Sequence, residues 1–136
     1  MTTTNVLGNE AIALALVEQG CRVVTAYPGT PSSEILAGVV KHKKRLDRQV
    51  YAEWSINEKV AFEVAMAASW TGLRAAVAMK QVGLNVASDP LFSAAYQGVK
   101  GGFVIIPADD PGPHSSQTEQ DSRLTAYNAK IPAYDP

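Results

Sequence analysis

Four short segments of this 136-residue chain gather residue types that do chemistry or bend a backbone towards a ligand. They are Tyr27-Pro28-Gly29-Thr30-Pro31-Ser32-Ser33, Glu53-Trp54-Ser55-Ile56-Asn57-Glu58, Lys80-Gln81-Val82-Gly83-Leu84-Asn85, and the run ADDPGPHSSQT from Ala108 to Thr118. In the first, two prolines and a glycine fix a turn with the Thr30 hydroxyl at its apex. As structure alone it is a rigid turn with Ser32 or Ser33 capping the next helix. In the second, Glu58 matters most. Ser55-x-x-Glu58 has the spacing of a capping box, in which the glutamate reaches back to a backbone amide. The chemical reading is a sheltered carboxylate at a strand-to-helix junction, hydrogen-bonded to the nitrogen of a heterocycle. Pattern alone favours the cap. In the long run, His114 lies between Pro113 and Ser115 and reads by itself as a structural or solvent-facing histidine.

Other chemistries lack their residues. There is no Gly-x-Gly-x-x-Gly and no Gly-x-x-x-x-Gly-Lys-Ser/Thr, and Lys100-Gly101-Gly102 precedes a strand, the wrong side for cradling a phosphate. Lys and Arg number 12 against 13 Asp and Glu, a net charge of -1, which argues against a nucleic-acid partner. The basic run Lys41, Lys43, Lys44, Arg45 and Arg48 reads as a solvated helix end, where cations are favourable. Cys21 is the sole cysteine and His42 and His114 the sole histidines, so an internal disulfide, a four-thiolate cluster or a Cys/His zinc site is not expected. Met1 to Leu7 has no basic segment leading into an apolar core, and no apolar stretch is long enough for a bilayer. The expectation is a soluble cytoplasmic protein without membrane partners.

The elements that must position these segments can be read from the apolar pattern. Apolar residues make up 46% of the chain and charged ones 18%, which excludes disorder. Arg22–Tyr27, Gln49–Glu53, Arg74–Met79 and Gly102–Pro107 read as strands, beginning roughly every 26 residues. Between them Asn9–Gln19, Ser32–Lys44, Asn57–Trp70 and Ser88–Gln97 have helical spacing, with Gly20 and Gly72 as stops. Strands that lack polar alternation are expected to be buried on both faces. The fold class is α/β: an open, mostly parallel sheet with helices on both faces. In such a sheet ligands sit beyond the carboxyl ends of the strands, where all four segments fall. Glu119–Lys130 reads as a helix, and KIPAYDP at the end as a further strand and its exit. The expectation is a single domain over residues 1–136, the front part of something longer or a split subunit.

Taken together the segments are more specific than any one of them. GNEAIALALVEQGCRVVTAYPGTPSSEI, EWSINEKVAFEVAMAASWTGLRAAVAMKQVGLNVASDPL and GGFVIIPADDPGPHSSQTEQDSR resemble the N-terminal part of indolepyruvate ferredoxin oxidoreductase α subunits. These belong to the thiamine-diphosphate-dependent 2-oxoacid:ferredoxin oxidoreductases. The resemblance runs from about Gly8 to Pro132 and implies the pyrimidine-binding domain of such an enzyme.

By that resemblance Glu58 in NEKVA meets N1′ of the cofactor's aminopyrimidine and favours its imino tautomer. A carboxylate does this well only where water is excluded, and the alanine-rich helix after Glu58 suits a dry wall. Thr30 matches a position whose hydroxyl faces the substrate, and Pro28 lies beside the cofactor. Gly29 stands where pyruvate-type relatives carry a bulkier residue, which suggests room for an aryl pyruvate. Gln81, Gly83 and Asn85 match a loop flanking the pyrimidine, and His114 falls in a segment near the substrate entrance. The implied reaction is oxidative decarboxylation of a 2-oxoacid to acyl-CoA and CO2, with electrons passed through iron–sulfur clusters to ferredoxin.

The same resemblance implies what is elsewhere. Relatives bind the diphosphate and Mg2+ on a second domain and carry a cysteine-rich iron–sulfur segment, neither of which this sequence contains. A chain of this kind is expected to be inactive alone and to work with that domain, the iron–sulfur part and a second subunit in an oligomer. Two other readings compete: a non-catalytic interaction or regulatory module on the same fold, and a self-contained nucleotide-binding domain, disfavoured by the missing glycine fingerprint.

Overall fold

Aliphatic runs too apolar for a surface become the strands. In the computed structural model, which describes residues 5–112 and 118–135, these are β1 (Val23–Ala26), β2 (Tyr51–Trp54), β3 (Ala75–Lys80) and β4 (Phe103–Ala108). They pair in parallel in the order β2-β1-β3-β4, with Val23 opposite both Tyr51 and Ala75, and Ala75 opposite Phe103. Parallel neighbours need crossovers. These come from α2 (Ser33–Arg45), α3 (Glu58–Trp70), and α4 (Gln81–Val86) with α5 (Ser88–Gln97); α1 (Gly8–Glu18) precedes the first strand and α6 (Ser122–Ala129) follows the last.

Alternation along the central strands divides the core in two. Val24, Ala26, Ala76 and Ala78 pack with Ala13, Val17, Ile35, Leu36 and Val39 of α1 and α2. Ala75, Val77 and Met79 pack on the other face with Ala61, Phe62, Ala65 and Leu91 of α3 and α5. Small residues on β3 allow helices close on both sides, and every residue of that strand is buried. Phe62 closes one face edge-on against Phe103, with ring centroids 5.1 Å apart. The open parallel sheet with helices on both faces is the expected architecture. No helix among the described residues is long and apolar enough to cross a membrane.

Several local expectations are corrected. Burial on both faces holds for β3 but not for the edges: Tyr51 and Trp54 of β2 and Val104 of β4 are exposed. The segment after β3 is not a loop but the short helix α4. The last helix begins later than expected, at Ser122, and residues 131–135 form no strand. The basic run at the end of α2 is largely exposed, yet His42 within it is buried beside Glu10 of α1. Gly20 and Gly72 do end their helices, each with a positive φ of 76° and 94°.

Candidate functional site

Strand order fixes where a ligand can enter. The chain leaves β1 through α2 towards β2, then returns through α3 to the far side of β1 as β3. The carboxyl ends of β1 and β3 therefore point into connections that diverge, which opens a crevice between them. Three of the four chemically rich segments meet there, and the fourth lies after β4.

The turn after β1 is held from several directions. The Ser32 and Ser33 hydroxyls both donate to the Gly29 carbonyl, at 2.9 and 3.1 Å, and Ser33 Oγ accepts from the Gly29 amide. Neither serine caps α2 through its side chain; they fasten the turn instead. Asn9 at the start of α1 donates to the Pro31 carbonyl and to Glu34. Pro28 and Thr30 are exposed on this fixed turn. Gly29 does not open space. A Cβ there would lie 3.2 Å from Lys80 Cβ, so the room its missing side chain leaves is taken by Lys80.

Glu58 is the first residue of α3, and the helix is capped by its neighbour: Asn57 Oδ1 accepts from the Val60 amide at 2.8 Å. The capping-box reading therefore fails. Glu58 occupies the first helical position rather than the third, and Ser55 donates to Glu53 instead. The first turn is also pinned to β1, where the buried Thr25 hydroxyl donates to the Ala61 carbonyl at 2.6 Å. Nearby carboxylates are engaged. Glu53 accepts from Tyr51 and Ser55, and Asp89 takes Lys59, the cation next to Glu58, at 2.8 Å. That bond raises the Lys59 ammonium above its ordinary value. The Glu58 carboxyl, half-buried, has no hydrogen bond or ion pair among the described residues.

What faces Glu58 is Gly83 of α4. A Cβ on Gly83 would stand 2.5 Å from Glu58 Cγ and 2.7 Å from Oε1, so only glycine lets α4 pass over this carboxyl. On either side of Gly83, α4 turns to the long segment after β4. Gln81, 1% exposed, donates through Nε2 to the Thr118 carbonyl at 3.4 Å. Asn85, exposed, donates to Gln120 Oε1 at 2.9 Å. The buried Gln81 Oε1 has no partner among the described residues. Asp109 anchors the far end of the same segment by accepting from the Ser122 amide and hydroxyl at 2.8 and 2.6 Å. His114 lies outside the described residues.

The structure thus brings Glu58 against Gly83 and sets the Pro28–Thr30 turn against Lys80, the residue before Gln81. Sequence reasoning missed Asn57, Asn9 and the pair Lys80–Asp110, 2.7 Å from Nζ to Oδ2. The signal for the pair was a lysine ending an otherwise apolar strand, because a buried ammonium needs a counter-charge. Two cavities of about 470 and 300 Å3 lie elsewhere, one at the amino ends of β1 and β2 beside Arg22 and Tyr51, the other between α1 and α2 beside Glu10 and Lys41. Neither touches Glu58. Among the described residues no three His, Cys, Asp or Glu side chains gather to hold a metal ion.

The donor set fits a planar heterocycle with a protonated or protonatable nitrogen. An unengaged carboxylate accepts, a glycine leaves a flat approach beside it, and the first turn of a helix favours negative charge. Comparisons with known proteins give the family. Residues 14–120 match the family described as pyruvate flavodoxin/ferredoxin oxidoreductase, thiamine diphosphate-binding. Indolepyruvate oxidoreductase subunit IorA of Archaeoglobus fulgidus is 57% identical over 133 residues, covering 96% of this chain and 21% of that protein. The subunit of the same name from Thermococcus kodakarensis is 54% identical over 130 residues, covering 96% and 20%. The chain thus spans about a fifth of the length of these curated relatives. A solved 2-oxoglutarate:ferredoxin oxidoreductase from Magnetococcus marinus superposes with a TM-score of 0.71 at 22% identity, covering 89% of this chain and 21% of that one, a likeness of fold. With the family matched over most of its length, the chain belongs to the thiamine-diphosphate-binding family of pyruvate flavodoxin/ferredoxin oxidoreductases.

Proposed function

We propose that this chain supplies the aminopyrimidine-activating half of a thiamine diphosphate site in an indolepyruvate-type 2-oxoacid:ferredoxin oxidoreductase. The observation that carries the reading is the Glu58 carboxyl, unengaged among the described residues and faced by Gly83 at the strand-end crevice. Glu58 would hold a proton at N1′ of the aminopyrimidine, which a carboxylate in a water-poor crevice does more strongly than one in bulk solvent. Thiamine diphosphate held there would supply the carbon nucleophile and the electron sink that decarboxylation of a 2-oxoacid needs. Gly83 leaves room beside the carboxyl, and Gln81 and Pro28 would lie along the ring. Thr30, on its fixed turn, would orient the substrate, a role the resemblance extends to His114. Asn85 secures the segment through Gln120.

The diphosphate and Mg2+ belong to a further domain, and the iron–sulfur clusters and the coenzyme A site to the rest of the enzyme. This chain is then a single pyrimidine-binding domain, inactive alone, working in the cytoplasm within an oligomer that includes a second subunit and ferredoxin. Indolepyruvate is the favoured substrate because relatives at more than half identity carry that name. The test is 2-oxoacid-dependent reduction of an electron-acceptor dye by the complete enzyme. Indolepyruvate should give the highest kcat/KM, ahead of pyruvate and 2-oxoglutarate. No reduction with any of the three would overturn the reading.

A further inference from the structure

One buried charge pair joins the walls of the crevice. Lys80 ends β3 and is 6% exposed, with Nζ 2.7 Å from Asp110 Oδ2, just past the end of β4. Its stem backs the turn after β1, since a Cβ on Gly29 would come within 3.2 Å of Lys80 Cβ. Its chain neighbour Gln81 opens α4, which holds Thr118 on one side and passes over Glu58 on the other. Through this one residue the turn after β1, the helix after β3 and the segment after β4 are tied together. A buried ion pair seldom adds much stability over an apolar pair of the same volume, so stability alone does not account for it here. Its geometry does: two nearly buried opposite charges in contact at 2.7 Å hold one separation, whereas apolar contacts tolerate sliding.

We propose that Lys80 is a positioning residue. Closed on Asp110, it fixes the spacing between the Thr30 turn and the segment after β4, and so the width of the substrate side of the crevice. The inference rests on the reading that this crevice takes a 2-oxoacid. With Asp110 neutralising it, Lys80 acts through the walls rather than as a substrate ligand.

The complete enzyme tests this with Lys80→Met, Lys80→Arg and the apolar pair Lys80→Met/Asp110→Leu. Two readouts are taken: steady-state kinetics, and backbone amide exchange over residues 27–31, 108–112 and 118–121. Lys80→Met is expected to raise KM for the 2-oxoacid about tenfold or more, with kcat less affected, as loosened positioning does. Exchange should speed up in those three stretches, and Lys80→Arg should restore most of both. The apolar pair should recover thermal stability without recovering KM. If Lys80→Met does not fold, the apolar pair carries the same comparison. Wild-type KM and exchange in the apolar pair would overturn the proposal. A wild-type enzyme that turns over no 2-oxoacid would instead defeat the functional reading, leaving exchange alone to decide whether the pair holds the walls.

Discussion

Glu58 stands out by contrast with its neighbours. Glu53, Asp89 and Asp109 are each closed by hydroxyls, an ammonium or an amide, whereas nothing among the described residues engages Glu58. Gly83 makes this testable without removing the carboxylate. Gly83→Ala places a methyl 2.5 Å from Glu58 Cγ, so the carboxyl or α4 must move. Turnover by the complete enzyme is expected to fall at least tenfold, because small misplacements near a reacting centre are costly. Far-UV circular dichroism should stay at the wild-type signal. At this scale the sequence pointed to Glu58 and said nothing of what surrounds it. Ser55 and Asn57 are both good caps, and only the position at which α3 starts decides between them. The reason Gly83 is glycine lies in a contact between segments 25 residues apart in the chain, which no local pattern reveals.

Elements carry the second kind of prediction. Asn57→Ala removes the side chain that accepts from Val60 and should cost about 1 kcal/mol, seen as a lowered denaturation midpoint, with Asn57→Asp retaining most of it. Gly101→Ala is expected to be worse. A Cβ there would fall 2.0 Å from the Leu73 carbonyl oxygen, a collision with backbone between two turns that Ser69 ties together. Its cost should reach several kcal/mol or prevent folding, measured by the same denaturation. Cys21, between α1 and β1, gives a pH dependence. Burial pushes its thiol up, so the folded chain favours the protonated form. Stability from this group is complete below the ordinary thiol range and declines as pH rises towards the raised value. Cys21→Ala should flatten that alkaline decline. Strands and long helices were legible because buried runs and 3.6-residue spacing are strong signals. The six-residue α4 was not, since it abuts α5 and has too few turns to show a period. Nor was the exposure of β2 and β4, which depends on strand order rather than composition.

At the scale of the molecule, the crevice lies beyond the carboxyl ends of β1 and β3, with the segment after β4 tied to it through Lys80 and Asp110. Under the proposed function such a surface is a half-site, to be completed by a further domain that anchors the cofactor's diphosphate. Calorimetry should then show thiamine diphosphate with Mg2+ binding the complete enzyme and little or no heat with this segment alone; tight binding by the segment would show that its partner domain is unnecessary. The architecture was readable from the rhythm of strand and helix. The absence of a strand over residues 131–135 was not, because a short apolar run after a helix reads the same whether or not a neighbour is there to pair with it. The most direct measurement of the central claim combines binding and turnover in one variant. Glu58→Gln keeps the shape and removes the charge, so the complete enzyme should still bind thiamine diphosphate with Mg2+. Its 2-oxoacid-dependent dye reduction should fall about a hundredfold or more. Turnover equal to wild type in that variant, with the cofactor bound, would contradict the account.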